Sequence, residues 1–153
     1  WSVSEISAYY AEHPLYILLN IPAFVVALIS SQGKLERAPF DAPEAETEIV
    51  SGAFVEYSGK LLAIFKAAND CELVLVAAVI SAIFLPFVTD IFLVDLLLLF
   101  VKTIFILALL SIMRSAMARL RLDQMVSFYW KYMMPLAVAQ IILNLVIRSE
   151  LVI

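Results

Sequence analysis

Carboxylates crowd into one region of a chain that is otherwise mostly apolar, between residues 36 and 72. The acids there are Glu36, Asp41, Glu44, Glu46, Glu48, Glu56, Asp70 and Glu72. Carboxylates close to one another and to a low-dielectric surface hold protons more tightly than isolated ones, so such a group could take up and release ions at a membrane boundary. The alternative is a solvated acidic surface with no chemistry of its own. Composition leaves both interpretations open.

The densest of these acids fit the first turns of a helix. Asp41 or the following alanine can cap a helix whose first turn holds Pro43 and Glu44, because proline is favoured at the first helical position and acids there interact well with the helix dipole. Glu44 and Glu48 are four residues apart and would share one face. The sequence therefore predicts helix-borne carboxylates.

A second pair of charges, Asp95 and Lys102, lies inside a long apolar run. Seven residues are nearly two helical turns, so both side chains project from one face about 10 Å apart. A lysine facing lipid there would be costly. An internal ion pair or a polar contact with a neighbouring subunit would explain it, and so would a place in a proton or sodium path.

Four cations form a cluster around a single acid later in the chain. Its members are Arg114, Arg119, Arg121, Asp123 and Lys131. Such a segment could anchor helix ends to anionic lipid headgroups or bind the acids of a peripheral subunit. Gln140 and Asn144, four residues apart, indicate a polar stripe of the kind that joins membrane helices.

The composition indicates the class of protein that carries these charged groups. Of 153 residues, 64% are hydrophobic and the mean hydropathy is +1.00, which exceeds what a soluble core of this size could bury. The net charge of -4 offers no basic surface for nucleic acid. One Cys excludes an internal disulfide and an iron-sulfur cluster held by this chain alone. The chain is predicted to lie in the lipid bilayer and to hold no cofactor or metal itself.

The predicted fold is an all-α membrane protein, one integral membrane domain over residues 1–153, with about four spanning helices and two charged cytoplasmic loops. The spans are placed at about 15–31, 73–89, 91–113 and 133–147, with a coupling loop at 32–60. Pro22 predicts a kink whose freed carbonyl finds a partner inside the protein. Leu61 and Phe65 show helical spacing upstream of the second span.

Orientation follows from the cations, which are retained on the cytoplasmic side. The first charged loop carries Lys34, Arg37, Lys60 and Lys66, and the second carries the later cluster of cations. Both charged loops are therefore predicted to face the cytoplasm at the cell membrane, with both termini outside. A turn at Thr89-Asp90 between two spans allows this arrangement.

Two blocks resemble a known family. Glu36-Arg-Ala-Pro-Phe-Asp41, Pro43-Glu-Ala-Glu46 and Glu56-Tyr-Ser-Gly59 resemble the membrane subunit shared by respiratory complex I (its subunit-1 family) and energy-converting membrane-bound nickel-iron hydrogenases. Arg114-Ser-Ala-Met-Ala-Arg-Leu-Arg-Leu-Asp-Gln124 is similar to the family's later arginine-rich loop. Family members have about twice as many spans, so the resemblance covers their C-terminal half.

The resemblance implies a non-cofactor-binding membrane subunit of an oxidoreductase complex. It would dock a peripheral redox arm and couple its chemistry to proton or sodium translocation beside antiporter-like membrane subunits. Docking residues would be Glu36, Arg37, Pro39, Phe40, Asp41, Arg114, Arg119, Arg121 and Asp123. The ion-coupling residues that the resemblance implies are Glu44, Glu46, Glu48, Glu56 and Lys102. Their charge and position add Asp70, Glu72 and Asp95 to this set, and no catalytic residue is expected on this chain.

The hydrogenase-type branch is favoured over complex I, because the segments 48–59 and 62–66 look closer to the hydrogenase-type members. Residues 68–70 also read Ala-Asn-Asp where complex I chains usually carry Ala-Glu-Tyr. A nickel-iron site and iron-sulfur clusters would then lie in peripheral partners. The alternative is a complex I subunit that contributes to quinone reduction and proton pumping, with flavin and quinone in or between quinone-reductase-like partners. A stand-alone ion transporter and a passive membrane anchor are further alternatives.

Overall fold

The computed structural model of this chain describes residues 5–6, 10, 15–41, 56–85 and 91–151. All regular secondary structure in those ranges is helical. The helices are α1 (Leu15–Leu19), α2 (Ile21–Lys34), α3 (Lys60–Phe84), α4 (Phe92–Ala116), α5 (Leu122–Phe128) and α6 (Met134–Leu151). A π-helical turn, Tyr129–Met133, joins α5 to α6.

Within the described ranges, three helices are long and apolar enough to cross a membrane. They are Lys60–Phe84, Phe92–Ala116 and the continuous helix Leu122–Ile147. The predicted count of four spans is not confirmed, because the first predicted span is divided at Asn20 into α1 and α2.

Two side chains of α6 form hydrogen bonds at the break between α1 and α2. Pro22 lies in the first turn of α2, where its missing N–H costs least. The Leu19 carbonyl accepts a hydrogen bond from Gln140 Nε2 at 3.0 Å, and Asn144 Nδ2 donates to Asn20 Oδ1 at 2.9 Å. The predicted polar stripe on α6 therefore satisfies the backbone that the break exposes.

The core lies where α2, α3 and α4 meet. Leu28, Ala77, Ile80, Ile106 and Leu110 form its buried cluster. Ala77 is fully buried, and so small a side chain lets α3 and α4 approach closely. The ring centroids of Phe24 on α2 and Phe84 on α3 are 5.4 Å apart at the far end of the core.

Several boundaries differ from those predicted. Helix α3 begins at Lys60, thirteen residues before the predicted span, because the amphipathic turns upstream of the apolar run are also helical, as their spacing indicates. The coupling loop begins at Leu35 because α2 continues to Lys34. Its residues 42–55 lie outside the described ranges, as does the predicted turn at 89–90.

The second charged loop is much shorter than predicted. Only residues 117–121 are non-helical, so Asp123 and Lys131 lie on helix rather than in a loop. Asp123 occupies the first turn of α5, where an acid is favoured by the helix dipole. The span predicted at 133–147 therefore belongs to a helix that starts at Leu122.

Candidate functional site

The loop after α2 folds back onto the helix that precedes it. The N–H of Arg37 donates to the Gln32 carbonyl at 3.2 Å, and the N–H of Phe40 donates to the Arg37 carbonyl at 2.9 Å. Glu36 takes a left-handed backbone conformation with φ of 50°. This compact turn, residues 35–41, is called the docking loop below, after the role that the sequence predicts for it.

The docking loop is anchored by an aromatic side chain. Phe40 is only 3% exposed, and its ring centroid lies 5.1 Å from that of Tyr129 and 6.1 Å from that of Phe128. Pro39 beside it is fully buried. The sequence assigns Pro39 and Phe40 to a contact with peripheral subunits, whereas the structure buries both inside this chain.

A second anchor joins the docking loop to the short basic segment 117–121. The Leu120 N–H donates to the Pro39 carbonyl at 3.0 Å, and Arg119 donates to the Asp41 carbonyl at 3.0 Å. Arg119 Nε also lies 3.0 Å from Asp41 Oδ1, which is an ion-pair distance without the geometry of a hydrogen bond. The two charged segments therefore meet at one end of the helices. The compartment that this end faces stays a prediction.

Tyr129 holds α2 against the docking loop. Its hydroxyl donates to the Ile29 carbonyl at 3.1 Å, and it reaches that carbonyl across Gly33. A Cβ added at Gly33 would collide with the Tyr129 hydroxyl, so glycine is needed there for close approach. Tyr129 begins the π-helical turn, a rare local structure that is often found at functional positions.

Ion pairs connect the same end to α3. Arg37 bonds Asp70 at 2.6 Å, and Lys34 lies 3.0 Å from Glu72. The side chain of Asp70 is 74% exposed, so this pair adds little to stability and mainly fixes position. Asp70 and Glu72, which the sequence assigns to ion coupling, are thus partners of cations at the end of α2.

A polar cleft of about 250 Å³ opens between these elements. Its walls carry Glu36, Arg37 and Asp41 from the docking loop, Lys66, Asn69 and Asp70 from α3, and Arg114 from the end of α4. Asp70 and Asp41 are already paired with arginines. Lys66 and Arg114 form no ion pair with a described residue, and together with Glu36 they line the cleft.

The other predicted site residues do not join this cleft. Glu56 is exposed just before α3, and Arg121 precedes α5 with its N–H bonded to Gln124. Asp95 and Lys102 are partly buried on α4, where their charges interact. Lys102 is twelve residues from Arg114, or roughly 18 Å along the helix. Glu44, Glu46 and Glu48 lie outside the described residues.

Sequence reasoning missed Gln32. It is 1% exposed on α2, its Nε2 donates to the Leu110 carbonyl at 2.6 Å, and its Oε1 is buried without a hydrogen-bond partner in the described part of the chain. An amide at the end of an apolar run was the available signal. Over the residues that the structure describes, no three His, Cys, Asp or Glu side chains are grouped as a metal would require.

Comparison with known proteins gives a consistent result. The family model described as NADH dehydrogenase matches residues 1–145. The chain is 36% identical over 137 residues to NADH-quinone oxidoreductase subunit 8 of Thermus thermophilus, covering 89% of this chain and 38% of that protein. It is 37% identical over 138 residues to an NADH-quinone oxidoreductase subunit of Geobacillus thermodenitrificans, covering 88% and 42%.

A fungal relative gives the same family. The chain is 33% identical over 138 residues to NADH-ubiquinone oxidoreductase chain 1 of Mycosarcoma maydis, covering 84% of this chain and 42% of that protein. The chain thus spans about two fifths of the length of these relatives. Their names do not support the hydrogenase-type branch that the sequence favours. They support the complex I alternative instead.

Proposed function

This chain belongs to the NADH dehydrogenase family, and on that premise we propose that it is part of a membrane subunit of an NADH-quinone oxidoreductase complex. In that complex it docks the peripheral electron-transfer subunits, contributes to quinone reduction and couples redox chemistry to proton or sodium translocation. The names of the bacterial and fungal relatives support this choice.

The observation that carries the docking role is the fixed position of the loop beside an open cleft. Three contacts hold the docking loop: the ring of Tyr129 packs on Phe40, the Leu120 N–H bonds the Pro39 carbonyl, and Asp70 pairs with Arg37. Because the loop is preorganised, a partner need not spend binding free energy on ordering it. Lys66, Arg114 and Glu36 remain at the cleft for contact with that partner.

The redox groups belong to partner subunits in this proposal. The whole sequence has one Cys and one His, too few to hold an iron-sulfur cluster alone. Flavin and iron-sulfur clusters would lie in the peripheral subunits, and quinone would bind between subunits. Antiporter-like membrane subunits would continue the ion path.

Ion coupling is proposed for the acids of the loop region and for the charged pair on α4. Glu44, Glu46, Glu48 and Glu56 would form its entrance, and Asp95 and Lys102 its inner part. Asp70 and Glu72 support this role because both pair with cations at the end of α2. A shift of the docking loop would move Arg37 and so change the electrostatic potential at Asp70.

Arg37→Ala tests the docking role. Loss of the Asp70 pair should loosen the docking loop and reduce the peripheral subunits that copurify with the membrane subunit. Lys131→Ala removes one exposed cation from the π-helical turn and should retain them. Equal retention in the two variants would contradict the proposal.

The double variant Arg37→Asp with Asp70→Arg distinguishes two explanations for a loss of copurification. Restored copurification would show that Arg37 acts by positioning the loop. Continued loss would show that Arg37 contacts the partner directly.

Lys102→Met tests ion coupling. The complex should assemble and transfer electrons to an artificial acceptor, while ion pumping falls because the titratable charge is gone. Lys102→Arg keeps the charge and should pump better than Lys102→Met, and Glu48→Gln should behave like Lys102→Met. If all three variants pumped ions at the parent rate, Lys102 and Glu48 would have only packing and surface roles.

A further inference from the structure

Helix α3 extends beyond its neighbours at the loop end. It runs antiparallel to α2, with Phe84 against Phe24 at one end and Glu72 against Lys34 at the other. Asp70 and Arg114 line the cleft where α2 and α4 end. Residues 60–69 of α3 therefore project about 15 Å past that level, at 1.5 Å per residue. These ten residues are called the outer segment below.

The outer segment carries an apolar stripe in an exposed position. Leu61, Ile64 and Phe65 are 58%, 65% and 40% exposed, and exposed Ala68 continues the same helical face. Tyr57 contacts one edge of Phe65 at 4.9 Å between ring centroids. A contiguous apolar patch with charged neighbours is typical of a protein interaction site.

The position of the stripe argues against lipid as its cover. Lys34, Arg37 and Arg114 mark the ends of α2 and α4 with charged side chains, as expected at a membrane surface. If those charges mark the membrane surface, the stripe lies beyond it on the aqueous side. Apolar side chains there gain from contact with another protein.

The charges beside the stripe indicate the chemistry of that protein. Lys60 and Lys66 are exposed on the outer segment, and Lys66 faces the cleft together with Arg114. The segment itself contains no acid, and Asp70, which directly follows it, is paired with Arg37. The stripe is thus flanked by cations, which favour an acidic partner.

We propose that the outer segment of α3 binds a segment of a soluble peripheral subunit that has large apolar side chains and at least one carboxylate. The apolar side chains pack on Leu61 and Ile64, and the carboxylate enters the cleft between Lys66 and Arg114. This inference rests on the proposed function and names which surface of the chain receives the peripheral subunits.

Photo-crosslinking in the assembled complex tests the proposal. A benzophenone amino acid at Ile64 should form an adduct with a soluble peripheral subunit. The same group at Leu97, 58% exposed within the α4 span, should react with lipid or with membrane subunits. An Ile64 adduct only with lipid, with another membrane subunit or with this polypeptide itself would overturn the inference.

Charge reversal tests the carboxylate separately. Lys66→Glu with Arg114→Glu should weaken binding of the peripheral subunits about tenfold or more, because like charges then face each other in the cleft. Unchanged binding would overturn the role of the cleft. If the peripheral subunits copurify but Ile64 gives no adduct with them, this inference fails and the proposed function stands. If they never copurify with the parent chain, the proposed function fails first.

Discussion

The docking loop and the outer segment of α3 lie side by side but are packed in opposite ways. The loop buries Pro39 and Phe40 inside the chain, whereas the outer segment leaves Leu61 and Ile64 largely exposed. The loop is therefore packed against its own chain, whereas the outer segment keeps an exposed apolar surface. In our proposal the loop sets the shape of the surface and the outer segment contacts the peripheral subunits.

Phe40→Ala should produce the largest effect on stability. Removing a buried aromatic ring costs about 3–5 kcal/mol through lost burial and the cavity left behind. The subunit should aggregate at a lower temperature when the detergent-solubilised complex is heated. Phe105→Ala makes the same change at a side chain that is 53% exposed and should cost much less. Equal losses would remove the contrast between buried loop and exposed surface.

Gly33→Ala should have the next largest effect. The new methyl group meets the Tyr129 hydroxyl, and overpacking of this kind costs about 1–3 kcal/mol. Alanine gains about 1 kcal/mol over glycine within a helix, so only a net loss of thermal stability supports the close contact. In a Tyr129→Phe background the colliding oxygen is absent, so Gly33→Ala should lower the thermal stability less. An equal loss in both backgrounds would show that Tyr129 does not restrict this position.

Ile64→Ser should change the stability of the chain least, within about 0.5 kcal/mol, because the side chain is mostly exposed. Retention of the peripheral subunits should fall nevertheless. Ile104→Ser, at a position 61% exposed on α4, should leave retention unchanged. If neither variant changes retention, the outer segment is not a binding surface.

The helices were predictable where a single local pattern determines them. Helix α4 is a long apolar run that ends at cations, so its predicted bounds differ from Phe92–Ala116 by only a few residues. The kink near Pro22 was predictable from the lost backbone donor. Its partner Gln140 was not, because a hydrogen bond across 121 residues of sequence leaves no local pattern.

The candidate site was predictable in composition but not in geometry. The loop residues and Arg119 were identified, but Phe40 was assigned to the surface because an aromatic residue among charges gives no sign of the two rings that bury it. The hydrogenase-type preference rested on short segments such as residues 68–70. Relatives aligned over more than 130 residues outweigh them.

Cysteine labelling of the outer segment tests the central claim most directly. Ala68→Cys in a Cys71→Ser background places the chain's only thiol on the apolar stripe, since the chain has one native cysteine. A membrane-impermeant maleimide should label it slowly in the assembled complex and much faster in membranes stripped of peripheral subunits. Equal labelling rates before and after stripping would contradict the claim that this surface receives the peripheral arm.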